Sequence, residues 1–348
     1  MNHLHLILTF VIAAIATWIA GVWLTRATDA LDTKYKLGSA FGGLLILGIG
    51  TSLPEIAIVV SAARAHHYDI IIGTLVGGIA IQTMLLSLMD ARMKLKAPLT
   101  FAAASLTLVL EASVVILVAV ASIIAIRTPA TIGHSSISLA SVFIFGLWVI
   151  GLWLAYRARK GLPWKTEALE ASPGREHHER QAVINHPWLK GASSLKIWGI
   201  LLASAAVILI AGVHIQSSGS DLASAYGIGA GLFAATFIAF AAALPDFSTG
   251  FESVSIGDYK LAMSDIFGGN SFMPALFLVC DIIAGKAVLQ NATPTDVWFA
   301  ALGALLTAIY IIGLITRPKK LFLRMGPDSL AVLLLYAVGV TVLAITGG

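Results

Sequence analysis

The sequence contains few charged residues and a single cysteine. Only 11% of its 348 residues are charged and 58% are hydrophobic, whereas soluble proteins average about 25% charged and about 45–50% apolar residues. This shortage of charge excludes a water-soluble enzyme, and the high apolar fraction excludes intrinsic disorder. Because Cys280 lies alone in an apolar run, a disulfide scaffold and a thiolate metal site are excluded as well.

The basic residues do not form the kind of surface that binds nucleic acid. The formal net charge is +4, but the lysines and arginines occupy short segments between apolar runs. Runs of about 20 apolar residues are long enough to cross a bilayer. We therefore predict an all-α integral membrane protein that contacts the lipid bilayer, binds no nucleic acid and needs no obligatory protein partner.

Ten apolar segments predict ten transmembrane helices. Of the 22 lysines and arginines, 19 follow odd-numbered spans and three lie on the other side. Because cytoplasmic loops carry the excess of basic residues, we expect both termini to face away from the cytoplasm and residues 157–195 to form a cytoplasmic loop. The predicted spans are 3–24, 37–63, 69–91, 99–125, 135–156, 196–213, 222–256, 261–284, 295–315 and 328–346.

The two halves of the chain match at an offset of 191 residues. Each half contains five predicted spans, an odd number, so the second half enters the membrane from the opposite side. We predict two inverted five-helix repeats, residues 1–156 and 196–348. The matched segments include Ile19-Ala20-Gly21-Val22 with Ile210-Ala211-Gly212-Val213, Leu53-Pro54 with Leu244-Pro245, and Gly77-Gly78 with Gly268-Gly269.

Prolines interrupt the second and seventh spans at equivalent positions. Pro54 follows Gly48 and Gly50 in the second span, and Pro245 lies at the same place in the seventh. Transporters built from inverted repeats bind their substrate near the bilayer midplane, where broken helices from the two halves meet. The sequence therefore predicts a binding site between broken helices 2 and 7.

Four acidic residues within the predicted spans are candidates for a functional role: Glu55, Glu111, Asp246 and Asp265. A carboxylate at the bilayer centre costs about 2.5–3.5 kcal/mol, so each is a functional candidate. Glu55, Asp246 and Asp265 would repel one another unless a cation lay among them or one were protonated. Carboxylates, hydroxyls and unwound backbone carbonyls are hard oxygen ligands, which suit Ca²⁺ and Na⁺ rather than zinc or copper.

Glu111 and the acids near the span ends have less specific positions. Glu111 lies in the middle of the fourth span, where it is a candidate proton site, an accessory ligand or a structural hydrogen-bond partner. Asp90 and Asp281 correspond at the 191-residue offset and lie near span ends. We expect these two aspartates to act as caps.

The central motif resembles that of a known transporter superfamily. Gly50-Thr51-Ser52-Leu53-Pro54-Glu55, followed by Gly73-Thr74-Leu75-Val76-Gly77-Gly78, is similar to the first alpha-repeat of the calcium/cation antiporters, in particular the sodium/calcium exchanger branch. The resemblance implies antiport by alternating access, with Ca²⁺, Na⁺ or H⁺ as transported ions and no further cofactor. It implies ion ligands at Thr51, Ser52, Glu55, Thr74, Ala242, Ala243, Asp246 and Asp265, the two alanines through backbone carbonyls.

The second repeat departs from this motif. Ala241-Ala242-Ala243-Leu244-Pro245-Asp246 stands where the family has Gly-Thr-Ser-x-Pro-Glu, so two hydroxyls are missing and the acid is one methylene shorter. Thr74 stands where the family usually has Asn. A divalent site of carboxylates and carbonyls is expected to persist, whereas sodium sites that depend on the missing hydroxyls are expected to weaken.

Two transport hypotheses remain open. The first is exchange of Ca²⁺, or a related divalent cation, for Na⁺. The second is a cation/proton antiporter that uses the same carboxylates and Glu111, although the proton-coupled branch usually lacks the proline that precedes both acids here. A membrane enzyme would need a nucleophile or a metal motif such as His-Glu-x-x-His, which no predicted span contains. We therefore predict a secondary transporter of a prokaryotic inner (plasma) membrane, not an enzyme.

Overall fold

The computed structural model describes residues 3–35, 51–93, 97–127, 137–159 and 193–346, and these ranges contain helices and no strand. A π-helical segment spans Ala234–Ile238, and a 3₁₀ turn spans Met273–Ala275. The helices are α1 (His3–Tyr35), α2 (Leu53–Arg64), α3 (Tyr68–Arg92), α4 (Leu99–Ala103), α5 (Leu106–Arg127), α6 (Leu139–Arg159), α7 (Ser194–Tyr226), α8 (Ala230–Ala242), α9 (Leu244–Ile256), α10 (Tyr259–Phe272), α11 (Leu276–Ala284), α12 (Pro294–Thr316) and α13 (Pro327–Thr346).

The lengths and surfaces of these helices are those of a membrane protein. Eight helical stretches are long and apolar enough to cross a bilayer, and the bent pair α8–α9 adds a ninth if it counts as one span. Large apolar side chains such as Ile12, Phe143 and Leu202 are exposed on them, as expected for helices that face lipid. The protein is an all-α integral membrane protein. The predicted span 37–63 falls partly outside the described residues.

Some predicted span boundaries are wrong. The sixth span was expected to end at 213, but α7 continues to Tyr226, and α8 begins at Ala230 rather than 222. The helix accommodates polar residues after 213: the Ser218 hydroxyl, for example, donates to the His214 carbonyl within α7. The helix ends at Gly227, whose φ of +66° suits the left-handed cap position.

The predicted fourth span, 99–125, is interrupted. Helix α4 ends at Ala103 and α5 begins at Leu106. The Ser105 carbonyl accepts the first hydrogen bonds of α5, from the N–H groups of Leu108 and Val109. A new helix therefore starts there without any proline to mark the break.

Helix α3 lies at the centre of the molecule. In the most apolar stretch of α3, 94% of the residues are buried, compared with 17% in the corresponding stretch of α6. It packs against α2, α8, α9, α12 and α13. Because α3 is enclosed on all sides by protein, its polar side chains have to find their partners on other helices.

The two halves of the chain have corresponding helices. Helices α1 and α7 are each 33 residues long and start 191 residues apart, as do α2 and α9, and α3 and α10. Close packing corresponds as well: a Cβ atom on Gly21 would lie 2.5 Å from Pro245 Cβ, and one on Gly212 would lie 2.5 Å from Ala57 Cβ. Each long first helix therefore packs, through a glycine, against the helix of the other half that carries a proline in its first turn.

Asp90 and Asp281, also 191 residues apart, tie the two halves together. Both carboxylates are buried, and each accepts one backbone N–H from its own half and one from just before the last helix of the other half. The predicted capping role is confirmed, and each cap bridges the halves. The N···O distances from Asp90 are 2.8 Å to Leu99 and 2.7 Å to Gly326, and from Asp281 they are 2.7 Å to Val288 and 3.0 Å to Ser138.

Candidate cation-binding site

Glu55 and Asp246 lie in the first turns of α2 and α9, each directly after a proline. Proline suits this position because a first-turn N–H has no partner within the helix. It also removes the donor that the Ala241 carbonyl would have had if α8 had continued. Helices α8 and α9 are bent by 48° at this point, so the seventh span is broken as predicted. The predicted glycine break in the second span, at Gly48 and Gly50, lies outside the described residues.

The surroundings of the two acids suit a cation. Only 2% of Glu55 and 6% of Asp246 is exposed, and both face the positive end of a helix dipole, which favours a carboxylate. Within the described ranges no lysine, arginine or histidine is buried. The acids therefore have no buried basic side chain from the described part of the chain to neutralise them.

Gln82 connects the two acids. This α3 residue is 1% exposed, and its Nε2 donates to Asp246 Oδ2 at 2.8 Å and to Glu55 Oε1 at 3.2 Å. Since one nitrogen reaches both oxygens, these lie no more than 6.0 Å apart. Residues from both halves of the chain thus meet at one point, on the most buried helix.

Hydroxyls and carbonyls of the two motifs surround this pair. The Thr51 hydroxyl hydrogen-bonds to Asp246, which links the motif of one half to the acid of the other. Ser52, Ala242 and Ala243 are buried. The carbonyls of Ser52 and Ala243 each accept a helical N–H at 3.0 Å, which leaves one lone pair on each oxygen for a further interaction.

Asp265 lies on α10, close to the same group. It is half-buried, and its Oδ2 accepts a hydrogen bond from Thr249 of α9 at 3.2 Å. Thr249 is also 3.0 Å from the Asp246 carbonyl. Because a hydroxyl has one hydrogen, Thr249 can donate to only one of these oxygens at a time.

Thr74 and Glu111 lie apart from the Gln82 bridge. Thr74 precedes Gln82 by two helical turns, about 12 Å along α3, and its buried hydroxyl has no hydrogen-bond partner among the described residues. Glu111 of α5 is buried and accepts a hydrogen bond from Ser264 at 2.7 Å. Ser264 precedes Asp265, so Glu111 contacts the helix that carries the third acid.

The sequence motif pointed to Thr74 on α3, but the α3 residue that hydrogen-bonds both acids is Gln82. Thr249 was also missed. The available signal for Gln82 is that the adjacent pair Gln82-Thr83 is polar in the middle of an otherwise apolar span. For Thr249 there was no comparable signal, because threonines are common in membrane helices.

A family model described as sodium/calcium exchanger protein matches residues 5–157 and 196–345. The chain belongs to this family. Its members are membrane transporters, so this exchanger-family protein is a transporter and not an enzyme. No curated protein matches the chain.

Solved structures of two kinds of exchanger share the fold of this exchanger-family chain. The H⁺/Ca²⁺ exchanger CAX aligns with a TM-score of 0.67 at 12% identity, over 98% of this chain and 86% of that one. The sodium-calcium exchanger NCX_Mj aligns with a TM-score of 0.60 at 16% identity, over 97% and 98%. Native YfkE aligns with a TM-score of 0.64 at 13% identity, over 95% and 90%. Likeness at this level of identity establishes the fold and leaves the coupling ion open.

Proposed function

We propose that this protein is a secondary antiporter that exchanges Ca²⁺, or a related divalent cation, for Na⁺ by alternating access. The observation that carries the proposal is the meeting of Glu55 and Asp246, one acid from each half, within reach of a single Gln82 nitrogen. Two buried carboxylates without a buried basic partner are the main requirement for a divalent site in a membrane. Family membership supports the same assignment.

The proposed ion site is formed by the residues predicted from the motif, with one addition. Glu55 and Asp246 supply charge, Thr51 and Ser52 supply hydroxyls, and the alanines of the second motif supply carbonyls. Asp265 completes the charge from α10, and Thr74 is retained as an outer hydroxyl on α3. Gln82 joins them because it contacts both central acids.

The proposed architecture is ten helices in two inverted repeats, residues 1–156 and 196–348, joined by a cytoplasmic loop at 157–195. The three pairs of helices that start 191 residues apart support it, as do the paired glycine contacts. The two aspartate clamps, Asp90 and Asp281, support it further, because the carboxylate of each hydrogen-bonds to equivalent segments of opposite halves. We place the protein in a prokaryotic inner membrane with both termini outside the cytoplasm.

Proton coupling is the second candidate, and the Glu111–Ser264 contact favours it. This hydrogen bond of 2.7 Å places a buried carboxylate against the helix that carries Asp265. A carboxylate there could exchange a proton as the ion site fills. The missing hydroxyls at Ala242 and Ala243 also weaken the case for sodium, which depends more than Ca²⁺ does on neutral oxygens.

Transport in proteoliposomes distinguishes the two couplings. Ca²⁺ flux is measured under a Na⁺ gradient at uniform pH, and separately under a pH gradient without Na⁺. We expect the Na⁺ gradient to drive flux and the pH gradient to have little effect. Flux that follows pH, ignores Na⁺ and is lost in Glu111→Gln would establish the proton-coupled alternative. Ca²⁺ movement under neither gradient would overturn both.

A further inference from the structure

We propose that the turn between α12 and α13, residues 317–326, binds the headgroup of an anionic phospholipid. The turn connects two helices that are each long and apolar enough to cross a bilayer, so it lies at the membrane surface. It contains none of the proposed ion ligands, and the inference therefore holds whichever ion drives transport. The turn carries no acid and four basic residues: Arg317, Lys319, Lys320 and Arg324.

The backbone of this turn is strained. Its tip is closed by two hydrogen bonds between Phe322 and Met325, with N···O distances of 2.7 and 2.9 Å. The two residues between them, Leu323 and Arg324, have φ of +50° and +69°, values that asparagine or glycine usually adopts in such a turn. Of the four non-glycine residues with positive φ in the described ranges, three lie in this turn, the third being Arg317. Strain of this kind concentrates where a segment has a function.

The strained tip exposes two large apolar side chains. Leu323 is 80% exposed and Phe322 is 51% exposed. The base of the turn is fixed, because the Gly326 N–H donates to the buried Asp90 carboxylate at 2.7 Å. The tip therefore presents apolar groups from a fixed base. At a membrane surface such side chains can enter the boundary between headgroups and acyl chains, which removes their apolar area from water.

Two of the basic groups meet at one aromatic ring. Arg317 Cζ lies 5.1 Å and Lys319 Nζ lies 5.9 Å from the centre of the Phe101 ring of α4, within the range of cation–π contacts. Neither side chain forms an ion pair with an acid of the described ranges. Guanidinium and ammonium groups are common ligands of phosphate. A lipid phosphate would supply the negative charge that this pair of cations lacks, while the tip contacts the acyl chains.

The equivalent segment of the first half lacks the basic cluster. At the 191-residue offset, residues 317–326 correspond to residues 126–135, which contain one lysine or arginine, Arg127. A connection between two spanning helices of this fold can therefore be made without four basic residues. The basic turn belongs to one end of the molecule, on the side where the charge bias places the cytoplasm. The anionic lipids of the cytoplasmic leaflet attract basic segments next to membrane helices.

The test is the thermal unfolding midpoint of the purified full-length protein in detergent, with increasing phosphatidylglycerol or neutral phosphatidylcholine. A ligand that binds the folded protein raises this midpoint with its concentration, and we expect phosphatidylglycerol to raise it more. Lys319→Gln with Lys320→Gln should weaken the apparent affinity for phosphatidylglycerol about fivefold per lysine, and the lipid-free midpoint should not change because both side chains are exposed. The matched control, Arg64→Gln with Arg127→Gln, removes the same charge from exposed helix ends elsewhere and should respond like the wild type.

Leu323→Asn tests the strained tip. Asparagine adopts positive φ more readily than leucine, so the lipid-free midpoint should stay the same or rise. Loss of the apolar side chain should nevertheless weaken the apparent affinity for phosphatidylglycerol about tenfold. The proposal is overturned if the two lipids stabilise the wild type equally, if the lysine variant responds like its control, or if Leu323→Asn keeps the full response to phosphatidylglycerol.

Discussion

At the scale of single residues, Glu55 and Asp246 are carboxylates buried in the membrane-spanning part of the chain, which is costly. Both lie in the core, and their contacts are amide, hydroxyl and backbone donors rather than a buried base. Two like charges this close are unfavourable for folding. Groups retained at such a cost are best explained by binding of a positive ligand.

Neutralising either acid should abolish transport and leave folding intact. We expect Glu55→Gln and Asp246→Asn each to reduce Ca²⁺ flux by at least about 100-fold, because replacing residues that merely orient metal ligands already costs about 10–100-fold. Neither change should lower the thermal unfolding midpoint, since it removes like-charge repulsion from a buried site. Flux in proteoliposomes and unfolding of the same preparations measure the two effects.

Glu252→Gln is the matched control for this experiment. Glu252 lies in the last turns of α9, the helix that begins beside Asp246. Its neutralisation should leave Ca²⁺ flux close to that of the wild type. Normal transport by Glu55→Gln would show that the ion site has been misplaced.

The acids could be predicted from the sequence and Gln82 could not. Glu55 and Asp246 follow prolines at equivalent positions in apolar spans, a local pattern with a direct energetic meaning. Gln82 belongs to no such pattern. Its role depends on two helices meeting α3 from opposite halves, and that juxtaposition exists only in the folded chain.

At the scale of helices, the two aspartate clamps hold the ends of the bundle. Asp90 and Asp281 each receive two backbone N–H groups, from segments that precede different helices. A loop that enters a buried region has to satisfy its backbone groups, and a carboxylate satisfies two at once. The clamps therefore fix where α6 and α13 begin relative to the other half.

We expect Asp90→Asn and Asp281→Asn each to destabilise the protein. A hydrogen bond to a charged group contributes about 1.5–3 kcal/mol, and a buried donor left unpaired adds its own cost. Each variant should lower the thermal unfolding midpoint, and the double variant should lower it by about the sum, because the sites are separate. The Ca²⁺ dissociation constant of the folded protein should not change.

Asp258→Asn provides the comparison for the clamps. Asp258 caps α10 through one bond to the Leu261 N–H, at 3.0 Å in an exposed position. Its replacement should cost no more than about 1 kcal/mol. Equal losses in all three variants would show that Asp90 and Asp281 are ordinary caps and do not join the halves.

Helix boundaries were harder to predict than helix existence. The polar residues that follow Val213 suggested a loop, but their hydroxyls are satisfied within α7 and the helix continues to Tyr226. The interruption at Ala104 and Ser105 carries no proline or glycine. Both features depend on local hydrogen bonds that hydropathy does not register.

At the scale of the whole molecule, the correspondence of the halves and the distribution of charge are independent observations. Three pairs of helices start 191 residues apart, α1 with α7, α2 with α9, and α3 with α10, and 19 of 22 basic residues follow odd-numbered predicted spans. The five spans predicted for each half, an odd number, predict halves that face opposite ways, and the charge bias predicts which way. The two predictions can be tested together by finding the side of the membrane on which each loop lies.

Cysteine labelling measures the sidedness directly. The native Cys280 is fully buried, so single introduced cysteines can be labelled with little background. Ala65, between α2 and α3, and Lys320, between α12 and α13, are both exposed. On intact cells a membrane-impermeant maleimide should label Ala65→Cys. It should leave Lys320→Cys, and cysteines introduced within 165–190, unlabelled. A tag after Gly348 should be accessible from outside. The unlabelled cysteines should react once the membrane is permeabilised. If Lys320→Cys and Ala65→Cys are both labelled from outside, the chain crosses the membrane an even number of times between these two positions. The inverted-repeat arrangement needs an odd number of crossings there, so this result would contradict it.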